Sequence, residues 1–160
     1  MTAARSAKRM EAALRAAGYR LTPQRAAILA YLAATGSHPS ARQVYDEVRQ
    51  TYPGLSLATV YNTLGILVKS GLLKVLEFEL DNRYETNLTP HINLICTRCG
   101  KIQDLVAPLP ISAEHLADKV GFQVLDYRME YYGLCPDCQG RIKNRQSATK
   151  INKGEQYEQS

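Results

Sequence analysis

The stretch SLATVYNTLGILVKS, residues 56–70, decides how the rest of the chain is read. Ser56 supplies the hydroxyl of a helix N-cap, and Gly71 supplies the conformational freedom of a helix stop. On a wheel of about 3.6 residues per turn, Leu57, Val60, Leu64, Leu67 and Val68 fall on one side. Ala58, Thr59, Asn62, Gly65 and Lys69 fall on the other, with Tyr61 at the edge. The apolar side needs other helices to pack against. The opposite side is small and polar, which lets a helix lie deep in a major groove. Thr59, Tyr61 and Asn62 stand near the N-terminus, where they can reach phosphates or bases and where the helix dipole favours anions. Taken alone, the same wheel suits any amphipathic surface helix, so its neighbours must decide.

Upstream, residues 6–18 predict a helix with Met10, Ala13, Leu14 and Ala17 on one face, ended by Gly18. Thr22 before Pro23 starts a second helix, with the apolar stripe Ile28, Leu29 and Leu32 and with Gly36 behind it. Ser40 caps a third, carrying Val44, Tyr45 and Val48 and stopping before Pro53-Gly54. Downstream, residues 72–79 and 83–86 predict two strands around Asp81-Asn82. Helices followed by a hairpin make a winged helix-turn-helix. The charge agrees. The net charge is +5. Arg5, Lys8, Arg9, Arg15, Arg20 and Arg25 stand against the single acid Glu11, so the whole excess lies in the first 25 residues. A basic segment beside a groove-reading helix suits a polyanion. Arg20, Arg25 and Arg83 are candidate phosphate contacts.

After Leu88-Thr89-Pro90 the character changes. Residues 91–95, 101–106 and 122–132 are strand-like, and residues 112–120 predict a short helix between Pro110 and Gly121. From Gly140 onward the chain is polar and is expected to be disordered. The expected fold class is α+β: a winged helix-turn-helix over residues 1–87, a small α/β domain over 88–140, and a tail over 141–160.

A chain of 160 residues with 45% hydrophobic content can build one ordinary domain or two small ones. No stretch approaches the ~20 apolar residues of a membrane span. Residues 1–10 are polar and basic with no apolar run behind them, unlike a signal peptide. The expected location is the cytoplasm, where four cysteines are more often metal ligands than disulfides.

Those cysteines form two Cys-x-x-Cys pairs, Cys96 with Cys99 and Cys135 with Cys138. Two intervening residues let both sulfurs of a pair face one ion, and two pairs complete a tetrahedral four-cysteine site suited to zinc. A redox dithiol would need only one pair, and an iron–sulfur cluster could use the same four ligands. Four thiolates leave no open position for substrate, so the site reads as structural.

The chain resembles the ferric uptake regulator (Fur) superfamily of bacterial repressors. The matching motifs are RLTPQR (20–25), His38-Pro39, SLATVYN (56–62), HINLICTRCG (91–100) and YGLC (132–135) with Cys138. The resemblance implies a homodimer with a structural Zn2+ and a dimerising second domain. It also implies a second, regulatory metal held between the domains by His38, Glu85, His91, Asn93 and Asp104. Metal loading would then close the dimer on a palindromic double-stranded DNA operator. A mixed nitrogen and oxygen set suits Fe2+, Mn2+ or Zn2+ rather than a thiophilic ion. Most members have His-x-His where this chain has His91-Ile92-Asn93. The neutral amide oxygen of Asn93 shifts the expected preference toward Mn2+. The layout is closest to the peroxide-sensing PerR branch, which implies that bound Fe2+ reacts with peroxide and oxidises a ligand histidine, His38 or His91, releasing DNA. Glu85 stands where that branch usually has Asp and where iron-uptake members often have Glu, so an iron- or other metal-uptake repressor is the alternative. A zinc-dependent hydrolase using His91 and Glu85 has no His-Glu-x-x-His pattern to support it. A zinc-ribbon interaction module would explain the cysteines but not the reader helix.

Overall fold

A computed structural model describes residues 3–78, 81–108, 111 and 113–142. The chain divides into two compact units, Met1–Thr89 and Pro90–Ser160.

The first unit contains four helices and a hairpin: α1 (Ala3–Ala16), α2 (Pro23–Ala34), α3 (Ala41–Thr51), α4 (Leu57–Lys69), β1 (Lys74–Leu76) and β2 (Arg83–Glu85). Local chemistry sets the boundaries. Tyr19 N–H donates to the Leu14 carbonyl and Gly18 N–H to that of Arg15, while Gly18 takes φ +81°, so α1 ends in a Schellman motif. Gly71, at φ +65°, ends α4 in the same way, with Leu72 N–H on Leu67 and Gly71 N–H on Val68. Thr22 caps α2 with Pro23 in its first turn, and Ser56 caps α4. Ser40 and Gln43 form a reciprocal capping box on α3.

The core of this unit is one cluster. Met10 and Leu14 of α1, Ile28, Leu29 and Leu32 of α2, Val44 and Val48 of α3, and Val60, Leu64 and Leu67 of α4 interlock, with Leu73 and Tyr84 from the hairpin segment. Thr63 and Ile66 are buried as well, while Leu57 and Val68 are only partly covered. The apolar face of α4 is therefore rotated and wider than the wheel placed it, because α4 packs on α1, α2 and α3 together. The hairpin pairs antiparallel, with Val75 opposite Tyr84. Its strands are shorter than the sequence suggested, and Glu79 of the first lies outside the described residues. Ser40 forms an isolated antiparallel bridge with Arg83 of β2, and the Tyr84 N–H donates to the Pro39 carbonyl, so residues 39–40 lie alongside the wing without forming a strand of their own.

The second unit is a three-stranded sheet with β3 (Ile92–Cys96) between β4 (Ile102–Leu105) and β5 (Glu130–Gly133). β4 is antiparallel to β3, and β5 is parallel to it. The long crossover that parallel pairing requires contains α5 (Ala113–Val120), stopped by Gly121 at φ +65°. Two sequence expectations need correction. Residues 121–129 form no strand, and the strand expected from Phe122 begins only at Glu130, with the Met129 carbonyl just before it accepting the Asn93 N–H. Alternation specifies which face a residue takes but cannot supply a neighbouring strand. The chain is also helical over residues 136–142, so Gly140, Arg141 and Ile142 continue a helix instead of opening a disordered tail; residues 143–160 lie outside the described residues.

The buried apolar set of this unit is small. Ile92, Ile95, Cys96 and Cys138 are buried, whereas Val106, Ile111, Val120, Phe122, Leu125, Tyr131 and Tyr132 are more than half exposed. No helix among the described residues is long and apolar enough to cross a membrane.

Candidate metal centres and nucleic-acid interface

The four cysteines converge. Cys96 ends β3, and Cys99 follows in a tight turn closed by Gly100, whose N–H donates to the Cys96 carbonyl and whose φ is +69°. Parallel pairing places Gly133 beside Cys96, and Cys135 lies two residues further on. Cys138 sits on the helical segment that follows. All four Sγ atoms lie within 4.8 Å of one another, and those of Cys99 and Cys135 are 3.7 Å apart. A tetrahedron with Zn–S bonds of about 2.3 Å has S···S edges of about 3.8 Å. A disulfide would bring two sulfurs to about 2.05 Å, and all four thiols are free. The donor set therefore fits a closed, four-coordinate zinc.

Electrostatics prepare the set unevenly. Backbone N–H groups of Cys135 and Cys99 hold the Cys96 thiol down at about 6. The Cys135 N–H donates to its sulfur at 3.3 Å. Burial, reinforced by hydrogen bonds with the other sulfurs, pushes Cys138 up to about 12. Each sulfur binds zinc as a thiolate, so loading the site releases the thiol protons that remain. Outside the quartet, Arg98 Nη1 donates to the Cys138 carbonyl at 3.3 Å, tying the first knuckle to the second.

The mixed nitrogen and oxygen donors form two groups, one in each unit. In the first, the Ser40–Arg83 bridge sets a register that places His38 opposite Glu85. Their side chains are 4% exposed, and His38 Nε2 stands 2.5 Å from Glu85 Oε2. The Asn87 N–H donates to the other carboxylate oxygen. In the second unit, Asn93 on the central strand is flanked by Asp104 on one side and Glu130 on the other. His91 Nε2 is 3.9 Å from Asp104 Oδ2. Asn93 is 6% exposed, and its Oδ1 is buried with no hydrogen-bond partner among the described residues. A buried acceptor left without a donor costs about 1–3 kcal/mol, a penalty that a coordinated cation would remove. His115, by contrast, lies exposed on α5.

The exposed stripe of α4 consists of Ala58, Tyr61, Asn62 and Lys69, with Tyr61 49% exposed. Thr59 is half-buried, and its hydroxyl lies 2.9 Å from that of Ser56. Arg20 is exposed. Arg25 is held locally: its guanidinium lies 5.1 Å from the Tyr19 ring centroid, and Nη1 donates to the Arg20 carbonyl at 2.9 Å. Arg83 Nη1 donates to Gln43 Oε1 at 2.5 Å. Ser40-x-x-Gln43 is readable in the sequence as a capping box, whereas the contact of Gln43 with Arg83 is not.

Comparison with known proteins agrees with this layout. The family model "Ferric uptake regulator family" matches residues 16–132. The chain is 40% identical over 132 residues to the peroxide-responsive repressor PerR of Staphylococcus aureus, covering 81% of this chain and 89% of that protein. The structure of the Helicobacter pylori ferric uptake regulator Fur, described as having three functional metal-binding sites, superposes with a TM-score of 0.72 at 25% identity, over 87% of this chain and 95% of that one. The Campylobacter jejuni peroxide stress regulator superposes with a TM-score of 0.61 at 32% identity, over 82% and 95%. The chain therefore belongs to the ferric uptake regulator family, and it is a metal-responsive regulator of the kind found there, not an enzyme.

Proposed function

We propose that this protein is a peroxide-responsive transcriptional repressor that binds a palindromic DNA operator as a metal-loaded homodimer in the cytoplasm. The observation that carries the metal gate is the Asn93 Oδ1 atom, buried with no hydrogen-bond partner among the described residues, at the strand position paired with Asp104. In this reading it joins His38, Glu85, His91 and Asp104 around one regulatory Fe2+ or Mn2+, with Zn2+ also compatible. Zn2+ in the Cys96, Cys99, Cys135 and Cys138 set serves the fold. The 40% identity to a peroxide-responsive repressor supports the choice of stimulus.

Bound Fe2+ would supply the chemistry that activates peroxide. The chain's own part would be to hold His38 and His91 as oxidisable ligands, both well shielded from solvent. Oxidation of either removes a ligand and releases DNA. For DNA, the reading assigns Thr59, Tyr61 and Asn62 to the groove and Arg20, Arg25 and Arg83 to phosphates. The exposed basic side chains of α1 (Arg5, Lys8, Arg9 and Arg15) add a favourable field. The exposed apolar side chains of the second unit supply the surface that a second copy would cover.

Glu85 favours a second reading, control of iron or another metal's uptake, because iron-uptake members often carry Glu there. Mass spectrometry after Fe2+ loading and hydrogen peroxide separates the two. A gain of one oxygen on His38 or His91, with loss of DNA binding, supports peroxide sensing. Unmodified histidines with intact binding leave metal-uptake control.

A further inference from the structure

The wing meets residues 38–40 through an isolated bridge, a backbone hydrogen bond and the first donor pair. Ser40 faces Arg83, Pro39 faces Tyr84 and His38 faces Glu85. One end carries two buried metal-type donors. The other carries Arg83, whose guanidinium rests on Gln43. Gln43 is not a freely turning surface side chain. Its Oε1 accepts the Ser40 N–H at 2.8 Å, and its own N–H donates to Ser40 Oγ at 3.2 Å, so the capping box fixes that oxygen in space. The same oxygen then accepts Arg83 Nη1. An arginine has five N–H donors, so one bond to Gln43 leaves others for a phosphate.

From this arrangement we infer that Gln43 is a positioning residue for DNA binding: it latches Arg83 of the wing to the N-cap of α3, in register with the His38–Glu85 pair. A guanidinium held in place loses less freedom on meeting a phosphate than one that must be ordered at contact. This inference rests on the DNA-binding reading above and adds a residue to it.

The test uses full-length Mn2+-loaded protein, with a palindromic DNA fragment selected in vitro against the wild type, and the variants Gln43→Ala, Gln43→Glu, Arg83→Gln and Gln43→Ala/Arg83→Gln. Each phosphate contact contributes about 0.9 to the slope of log affinity against log salt, so losing Arg83 from both protomers should reduce that slope by about two. Gln43→Ala is expected to weaken binding about tenfold and to move the slope toward that of Arg83→Gln. The double variant should be no weaker than Arg83→Gln alone, and Gln43→Glu, which retains the acceptor, should recover most of the affinity. With zinc bound but without DNA or Mn2+, the Arg83 Nη–H resonances should lose protection from exchange in Gln43→Ala. A Gln43→Ala slope equal to wild type, losses that add fully in the double variant, or an unchanged Arg83 resonance would each overturn the inference. If the wild type binds no DNA under any metal, the functional reading itself falls, and the resonance then decides the latch alone.

Discussion

Replacing Asn62 by alanine should move stability and DNA affinity in opposite directions. Asn62 is exposed on α4, on the stripe with Ala58 and Tyr61 and away from the buried Val60, Thr63 and Leu64. Alanine is the better helix former by up to about 0.7 kcal/mol, and the substitution opens no cavity, so the melting temperature should hold or rise slightly. Loss of a bidentate contact between an asparagine and a base edge costs about 1–3 kcal/mol. A dimer presents two copies of α4, which doubles the loss to about 2–6 kcal/mol, a weakening of about 30-fold at the lower bound. Asn62 is neutral and releases no counterion, so the salt dependence of binding should not change. Fluorescence anisotropy of a labelled operator fragment, measured over a salt series with Mn2+ present, reads both quantities, and circular dichroism confirms the fold. An unchanged affinity in a fully helical variant would refute the assignment of the α4 stripe to the groove.

Replacing Cys96 by serine should abolish zinc binding and unfold the second unit, since structural zinc contributes on the order of 10 kcal/mol. The α1–α4 core contains no zinc ligand and should keep its helical signal; a variant that retains stoichiometric zinc and a stable dimer would contradict this. Tyr84 responds to alkali. Burial, with the nearby Tyr61 and Asp81, raises its phenol above the ordinary value. A raised folded value means that its contribution to stability is complete below about pH 10 and is lost as pH rises through the folded value. The Tyr84→Phe variant should therefore lose less stability than wild type as the pH is raised above about 10, as read by urea midpoints, and equal losses would sink the idea.

The features legible in the sequence were those written in local chemistry. Thr22-Pro23, Ser40 and Ser56 announced their helices because a cap depends on three or four consecutive residues. The paired Cys-x-x-Cys spacing announced its site because each knuckle is a single turn. Long-range partners were not legible. Nothing near Arg25 in sequence says that its guanidinium settles over Tyr19, or that Arg83 finds Gln43 across forty residues. The alternation from Phe122 onward predicted a strand, yet only residues 130–133 have β3 to pair with. The width of the buried face of α4, with Thr63 and Ile66 included, depended on three neighbouring helices that a wheel for one helix cannot contain. His38 and Glu85 lie far apart in sequence, and a resemblance, not a spacing, first named them together.

The central claim is that a metal other than the zinc decides whether this protein binds DNA. Its most direct test is anisotropy of the selected operator fragment with protein whose cysteine-bound zinc is intact and whose other metals have been stripped, titrated with Mn2+. The account predicts weak, salt-sensitive binding before Mn2+ and at least a tenfold tightening after it, abolished in Asn93→Ala and His91→Ala. Equal affinity with and without Mn2+ in the wild type would contradict it.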